Sequence, residues 1–267
     1  MEPPLTGNGE VPEHLQALGN LPPAALYLTE PVRVALDVAA LPLATPWLAT
    51  APRGDGHGVL VLPGLLAGDR STARLRTYLR RRGYYVRGWR LGRNLGPSEA
   101  VVDGMPGALR DLAERTGGPV SLIGWSLGGI YARTLAREQT AYVRQVITLG
   151  SPYGVAHGHR THADPVFERL GFLHARPNRV PGRADVGGGV PVPSTSIYSR
   201  RDGVVAWRSC IGEVTSLHQN IEVRCSHLGF GFDPATVWVV ANRLAADPQK
   251  WEPFTPPRLA GALYGKY

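Results

Sequence analysis

Apolar positions along this chain recur with two different periods. Residues 59–62, Val-Leu-Val-Leu, are apolar at every position, the pattern of a strand buried on both faces of a parallel sheet. Helical spacing follows over 71–82, with Leu75, Tyr78 and Leu79 on one side. Arg74, Arg76, Arg80, Arg81 and Arg82 mostly point the other way, as a solvated face. A strand over 84–89 comes next, then a helix over 98–116 weakened early by Gly104 and Pro106. The strand 120–124 reaches a sharp turn at Ser126 and a helix continuing to about residue 139, and 143–149 is a further apolar strand. Strands separated by helices in this way give right-handed crossovers and a mostly parallel sheet.

After residue 149 the rhythm stops. Residues 150–193 are rich in Gly, Pro, His and Arg, and an irregular insertion of that length predicts a lid or a pocket wall. Periodicity resumes with strands over 194–199 and 220–225, and a helix over 234–246, capped by Asp233, closes the pattern. Ahead of the first strand, residues 1–22 read as a flexible N-terminal arm. The apolar stretch 32–47 is broken by Arg33, Asp37, Pro42 and Pro46, so it predicts one or two short helices covering the sheet. The organisation expected is that arm followed by a single α/β domain over 23–267.

A chain of 267 residues with 43% hydrophobic content can bury one large α/β core. The formal charge of +8 changes this picture little, because the arginines that carry it are scattered; no nucleic-acid partner is implied. Without a spanning run or a basic leader, the expected location is the cytoplasm, with a membrane surface admitted as a partner but not required. No oligomeric state follows from the pattern.

Chemistry enters at Gly124-Trp125-Ser126-Leu127-Gly128. A G-x-S-x-G run is weak evidence in a chain with 33 Gly, but this one sits between a strand and a helix, the context that exposes a nucleophilic serine. Such a serine needs a base, and the base needs an orienting carboxylate, both at C-terminal strand ends. Asp202 leaves the strand 194–199, and His227 follows the strand 220–225. His218 precedes its strand and so falls at the wrong edge; Asp164 and Asp185 lie in the insertion. Backbone N–H groups of Leu127 and of Leu65, in the loop after the first strand, are the candidates to hold an oxyanion. Leu66, Trp125, Tyr131, Trp207 and Phe230, with Leu65 and Phe232, are candidates for an apolar substrate pocket.

Those segments carry a resemblance. From about residue 59 to 246 the chain resembles bacterial serine hydrolases of the α/β-hydrolase fold, lipase/esterase branch. The match lies in Leu62-Pro63-Gly64-Leu65, Gly124-Trp125-Ser126-Leu127-Gly128-Gly129, Leu149-Gly150-Ser151-Pro152, Asp202-Gly203 and Ser226-His227. It implies a mostly parallel sheet of about six to eight strands flanked by helices. It also implies hydrolysis of a small-molecule or lipid carboxylic ester through an acyl-serine, without a cofactor. Acyltransferase or thioesterase activity would use the same triad, and a non-catalytic binding protein on this fold is the remote alternative. Pro63 departs from the His-Gly many relatives carry in that loop, and no clear strand precedes residue 59, which favours six strands.

Two side features stay open at this level. His157, His159 and His162 with Asp164 have tolerable spacing for zinc, although loop histidines on a lid are the default and no metal is assigned. Cys210 and Cys225 flank the acid and base segments, either bonded or as two buried thiols.

Overall fold

The strands lie side by side in one parallel sheet: β1 (Gly58–Leu62), β2 (Tyr85–Gly88), β3 (Val120–Trp125), β4 (Val143–Leu149), β5 (Ser194–Ser199) and β6 (His218–Val223). Their order is β2-β1-β3-β4-β5-β6. The structure, a computed structural model, describes residues 21–154, 161–176, 188–257 and 260–265. Most of the arm expected over 1–22 therefore lies outside the described residues.

Helices precede and cover the sheet: α1 (Ala24–Leu28), α2 (Glu30–Leu43), α3 (Thr45–Leu48), α4 (Ala73–Arg81), α5 (Glu99–Thr116), α6 (Leu127–Glu138), α7 (Asp164–Arg169) and α8 (Pro234–Leu244). β1 reads as a continuous apolar run because it feeds two cores. Val59 and Val61 of β1, with Ile123 of β3, pack with Leu75 and Leu79 of α4 and Val237 of α8. Leu60, Leu62 and Leu122 point to the opposite face, against Leu109 and Leu112 of α5 and Leu135 of α6. Helix α5 keeps Pro106 in its interior, and Val101, Met105 and Leu109 are buried along its core face. That packing outweighs the helix-breaking preference.

Three local expectations change. β6 starts earlier than its apolar pattern and takes in His218, which remains at the N-terminal edge. The arginines of α4 are only partly a solvated face: Arg80 donates to the Val86 carbonyl at 2.8 Å, and Arg82 to that of Ala49 at 3.1 Å. Helix α2 covers the domain with Glu30 turned inward and Leu41 packed against the core. Val32, Leu36 and Leu43 are 65%, 65% and 84% exposed, whereas Glu30 is 3% exposed. Among the described residues no helix is long and apolar enough to cross a membrane.

The chain leaves β1 for β2 on one side and returns to β3 on the other. Such a reversal opens a crevice outside the carboxyl ends of the strands, where ligands bind in open α/β sheets. The register aligns Leu62 with Gly124, Trp125 with Leu149, and Leu149 with Ile197. Residues just past those positions therefore share one edge.

Candidate active site

Ser126 stands on that edge with φ 52° and ψ −122°, a left-handed conformation that a side chain rarely adopts. The turn is held by its own N–H donating to the Leu149 carbonyl at 2.8 Å, and by Gly129 N–H donating back to the Ser126 carbonyl at 2.9 Å. The flanking glycines are required by contact: a Cβ on Gly124 would strike the Gly128 carbonyl, and one on Gly128 the Leu62 carbonyl. Strain of this kind persists only where the surroundings overdetermine it, and it points the hydroxyl out of the sheet.

Asp202 and His227 meet beyond β5 and β6. Asp202 Oδ1 accepts from the N–H groups of Val204 and Val205 at 2.8 and 2.7 Å, which leaves Oδ2 for His227 Nδ1 at 2.6 Å. Both side chains are buried. Burial by itself would push the imidazolium down, but the charge and hydrogen bond of Asp202, helped by the charge of Glu30, leave the His227 pKa above its ordinary 6.5. The Trp125 indole N–H donates to the His227 carbonyl at 3.1 Å, tying the His227 loop to the strand that ends beside Ser126. Phe230 meets the imidazole edge-on at 6.2 Å. Among the described residues, the Ser126 hydroxyl makes no hydrogen bond to His227. Such contacts are commonly long without substrate and tighten in the Michaelis complex.

The loop after β1 lies against the serine, and a Cβ on Gly64 would sit 3.2 Å from that of Ser126. Neither Leu65 N–H nor Leu127 N–H donates to an acceptor among the described residues, so both are free to receive an oxygen. Pro63 has no N–H to fix this loop, and Asn94, 0% exposed, replaces that support. Its Nδ2 donates to the Pro63 carbonyl at 2.8 Å. Its backbone exchanges bonds with Leu66 N–H and the Ala67 carbonyl, both at 2.7 Å. Sequence reasoning missed Asn94. The available signal was a polar residue between Gly92 and Gly96 in the loop leaving β2 on the same edge. Asn94→Ala strands the buried Pro63 carbonyl, so stability should fall by about 1–3 kcal/mol in urea unfolding.

No family model and no curated protein matches the sequence. Solved structures do match the architecture. Lipase B of Aspergillus fumigatus superposes with a TM-score of 0.55 at 16% identity, covering 76% of this chain and 57% of the fungal one, so the chain spans little more than half of that lipase. A metagenome-derived lipolytic enzyme of the LipS and LipT pair gives 0.53 at 18% identity, over 72% of this chain and 93% of that one. A pyrethroid hydrolase from Sphingobium faniae gives 0.52 at 18%, over 73% and 99%. The chain has the α/β-hydrolase fold.

Within this fold the remaining candidates separate. Trp125 is buried beneath the serine, and Leu66, 40% exposed, lies in the loop after β1. Tyr131 is buried in the α5–α6 core with its hydroxyl on Asn94 Oδ1 at 3.4 Å, so it supports the loop instead of lining a pocket. Phe230 is likewise fully buried behind the histidine. Trp207 stacks on Tyr198 with the Arg200 and Arg208 guanidiniums 4.6 and 4.5 Å from its ring, a cationic setting and not an apolar wall. Phe232 packs on Trp125.

The described part of the insertion spans the edge of the α/β-hydrolase sheet. His162 N–H donates to the Val204 carbonyl, next to Asp202, and Ala175 N–H to the Pro97 carbonyl, next to Asn94. Of the zinc candidates, His157 and His159 lie outside the described residues, as does the rival acid Asp185. His162 accompanies Pro22 and stacks on Tyr27, and Asp164 holds Thr161. Among the described residues no group of three or more His, Cys, Asp or Glu side chains is placed to hold a metal ion. Cys210 and Cys225 are both free and buried, which settles the open alternative as two thiols.

A second serine–histidine contact, Ser194 Oγ with His218 Nδ1 at 2.8 Å, lies at the N-terminal ends of β5 and β6. Tyr153 and Asn220 face its other ring nitrogen, where a triad requires its serine or carboxylate partner. Burial takes the His218 pKa down to about 4, so it is a neutral structural histidine.

Proposed function

We propose that this protein is a carboxylic-ester hydrolase in which Ser126, His227 and Asp202 act as nucleophile, base and orienting acid. The observation that carries the reading is the buried Asp202–His227 pair on the edge that presents the strained serine. Ser126 Oγ attacks the acyl carbonyl carbon while His227 Nε2 takes its proton. The negative oxygen of the tetrahedral intermediate is received by the Leu65 and Leu127 N–H groups. Collapse expels the alcohol, which takes the proton from His227 and leaves an acyl-Ser126. Water, deprotonated by the same imidazole, then releases the acid and restores the serine. Leu66 and Leu228, 40% and 45% exposed beside the oxyanion loop and the base, favour an apolar acyl ester.

The test is covalent labelling with a fluorophosphonate, with the adduct located by mass spectrometry, followed by p-nitrophenyl esters of increasing acyl length. An adduct on Ser126 and turnover of these esters are expected. A folded protein that leaves Ser126 unmodified would overturn the proposal. Faster release of p-nitrophenol with added alcohol would redirect it to acyl transfer, and preference for an acyl thioester to a thioesterase.

A further inference from the structure

We infer that Glu30 is a positioning residue for His227, and that helix α2 carries it as a clamp on both the acid and the base loops. Glu30 Oε1 accepts from the N–H groups of His227 at 3.0 Å and of Gly203, next to Asp202, at 2.9 Å. Its Oε2 accepts from Leu228 N–H at 3.1 Å. Two turns along the same helix, Asp37 Oδ2 accepts from the Ser226 N–H at 3.1 Å and from the Ser226 hydroxyl at 2.6 Å. Three consecutive amides, at 226, 227 and 228, thus give their hydrogens to carboxylates of α2. Arg33, paired to Glu30 Oε1 at 2.8 Å, extends the grip to the Arg201 carbonyl.

Helix packing alone does not account for this arrangement. Glu30 makes no cap for its own helix. Val32, Leu36 and Leu43 of α2 stay exposed while Glu30 is buried, and of its leucines only Leu41 packs against the core. Hydrogen bonds from amides to an ionised acceptor are among the stronger ones, and here they fix the spacing between the loop of Asp202 and the loop of His227. The carboxylate also acts through space. The charged groups facing the imidazole are Asp202 from the β5 loop and Glu30 from α2, both favouring the imidazolium that forms when Ser126 gives up its proton. Arg33 offsets part of the Glu30 charge, Asp37 stands behind Ser226, and Asp233 is turned to its cap on Thr236.

The kinetic part of this inference rests on the proposed hydrolysis; the electrostatic part does not. The experiment therefore reads the His227 titration by NMR, with the resonance assigned by its loss in His227→Gln, beside kcat/KM for p-nitrophenyl butyrate against pH. Glu30→Gln is expected to lower the midpoint by about half a pH unit to one pH unit. It should also move the acidic limb of kcat/KM down with it and reduce kcat about tenfold or more while KM changes little. Glu30→Asp, which keeps the charge, should return the midpoint toward wild type. An unchanged NMR midpoint in Glu30→Gln overturns the inference, as does a fall in kcat with the limb unmoved. Should Glu30→Gln not fold, Arg33→Met takes its place: there the midpoint is expected to rise, and no movement counts against Glu30. A wild type that turns over no ester removes the hydrolase reading, while the NMR midpoints still decide the role of Glu30.

Discussion

Ser126→Ala is expected to lower ester turnover by about five to six powers of ten while leaving the fold intact. The hydroxyl is the only atom removed, and no described hydrogen bond depends on it. Stability separates this site from an ordinary turn. At φ 52° and ψ −122° alanine meets the same strain as serine, but glycine does not. Ser126→Gly should therefore be as inactive as Ser126→Ala yet more stable by about 1–2 kcal/mol, several degrees in melting temperature for a domain of this size. Calorimetry on the two variants checks the strain, and steady-state kinetics check the nucleophile. Activity within tenfold of wild type in either variant would mean the acyl group is carried elsewhere.

The second large effect is expected at Asp202. The Val204 and Val205 N–H groups hold Oδ1, so in Asp202→Asn the amide oxygen stays with them and the NH2 faces His227 Nδ1. Nδ1 must then accept, the ring proton moves to Nε2, and the base can no longer take a proton from Ser126. A loss of about four powers of ten in kcat follows, with little change in fold. The pH profile moves as well. The charge of Asp202 raises the His227 pKa against the effect of burial, and only the neutral imidazole works as a base. With that charge gone the pKa falls, and the acidic limb of the residual kcat/KM should shift to lower pH. A limb that stays put, or a variant that retains a tenth of wild-type kcat, would assign the orienting role to another carboxylate.

Much of this framework could be read along the chain because its signals are local. A fully apolar run of four or five residues reports a strand covered on both faces, and β1 answers to that pattern closely. Ser126, Asp202 and His227 could be listed together because each follows a strand, and parallel strands bring their C-terminal ends to one edge. His218 could be set aside by the same reasoning. The pocket was less legible. Trp207 looks like an apolar wall in sequence, but its neighbours Arg200 and Arg208 close over its ring, a contact that depends on how the chain folds back after β5.

The sequence by itself determined the strand–helix rhythm, the elbow and the edge on which serine, acid and base would stand, since periodicity and strand ends follow from neighbouring residues alone. The tertiary structure decided what holds that edge in register. Asn94 supports a loop whose own Pro63 cannot, and Glu30 and Asp37 reach amides about 190 residues away in the chain. The physical reason is orientation. Residue spacing does not say which face of α2 turns inward; the buried backbone N–H groups around His227 require acceptors, and Glu30 and Asp37 supply them while Val32 and Leu36 stay exposed. The helix therefore docks through these carboxylates as well as through Leu41.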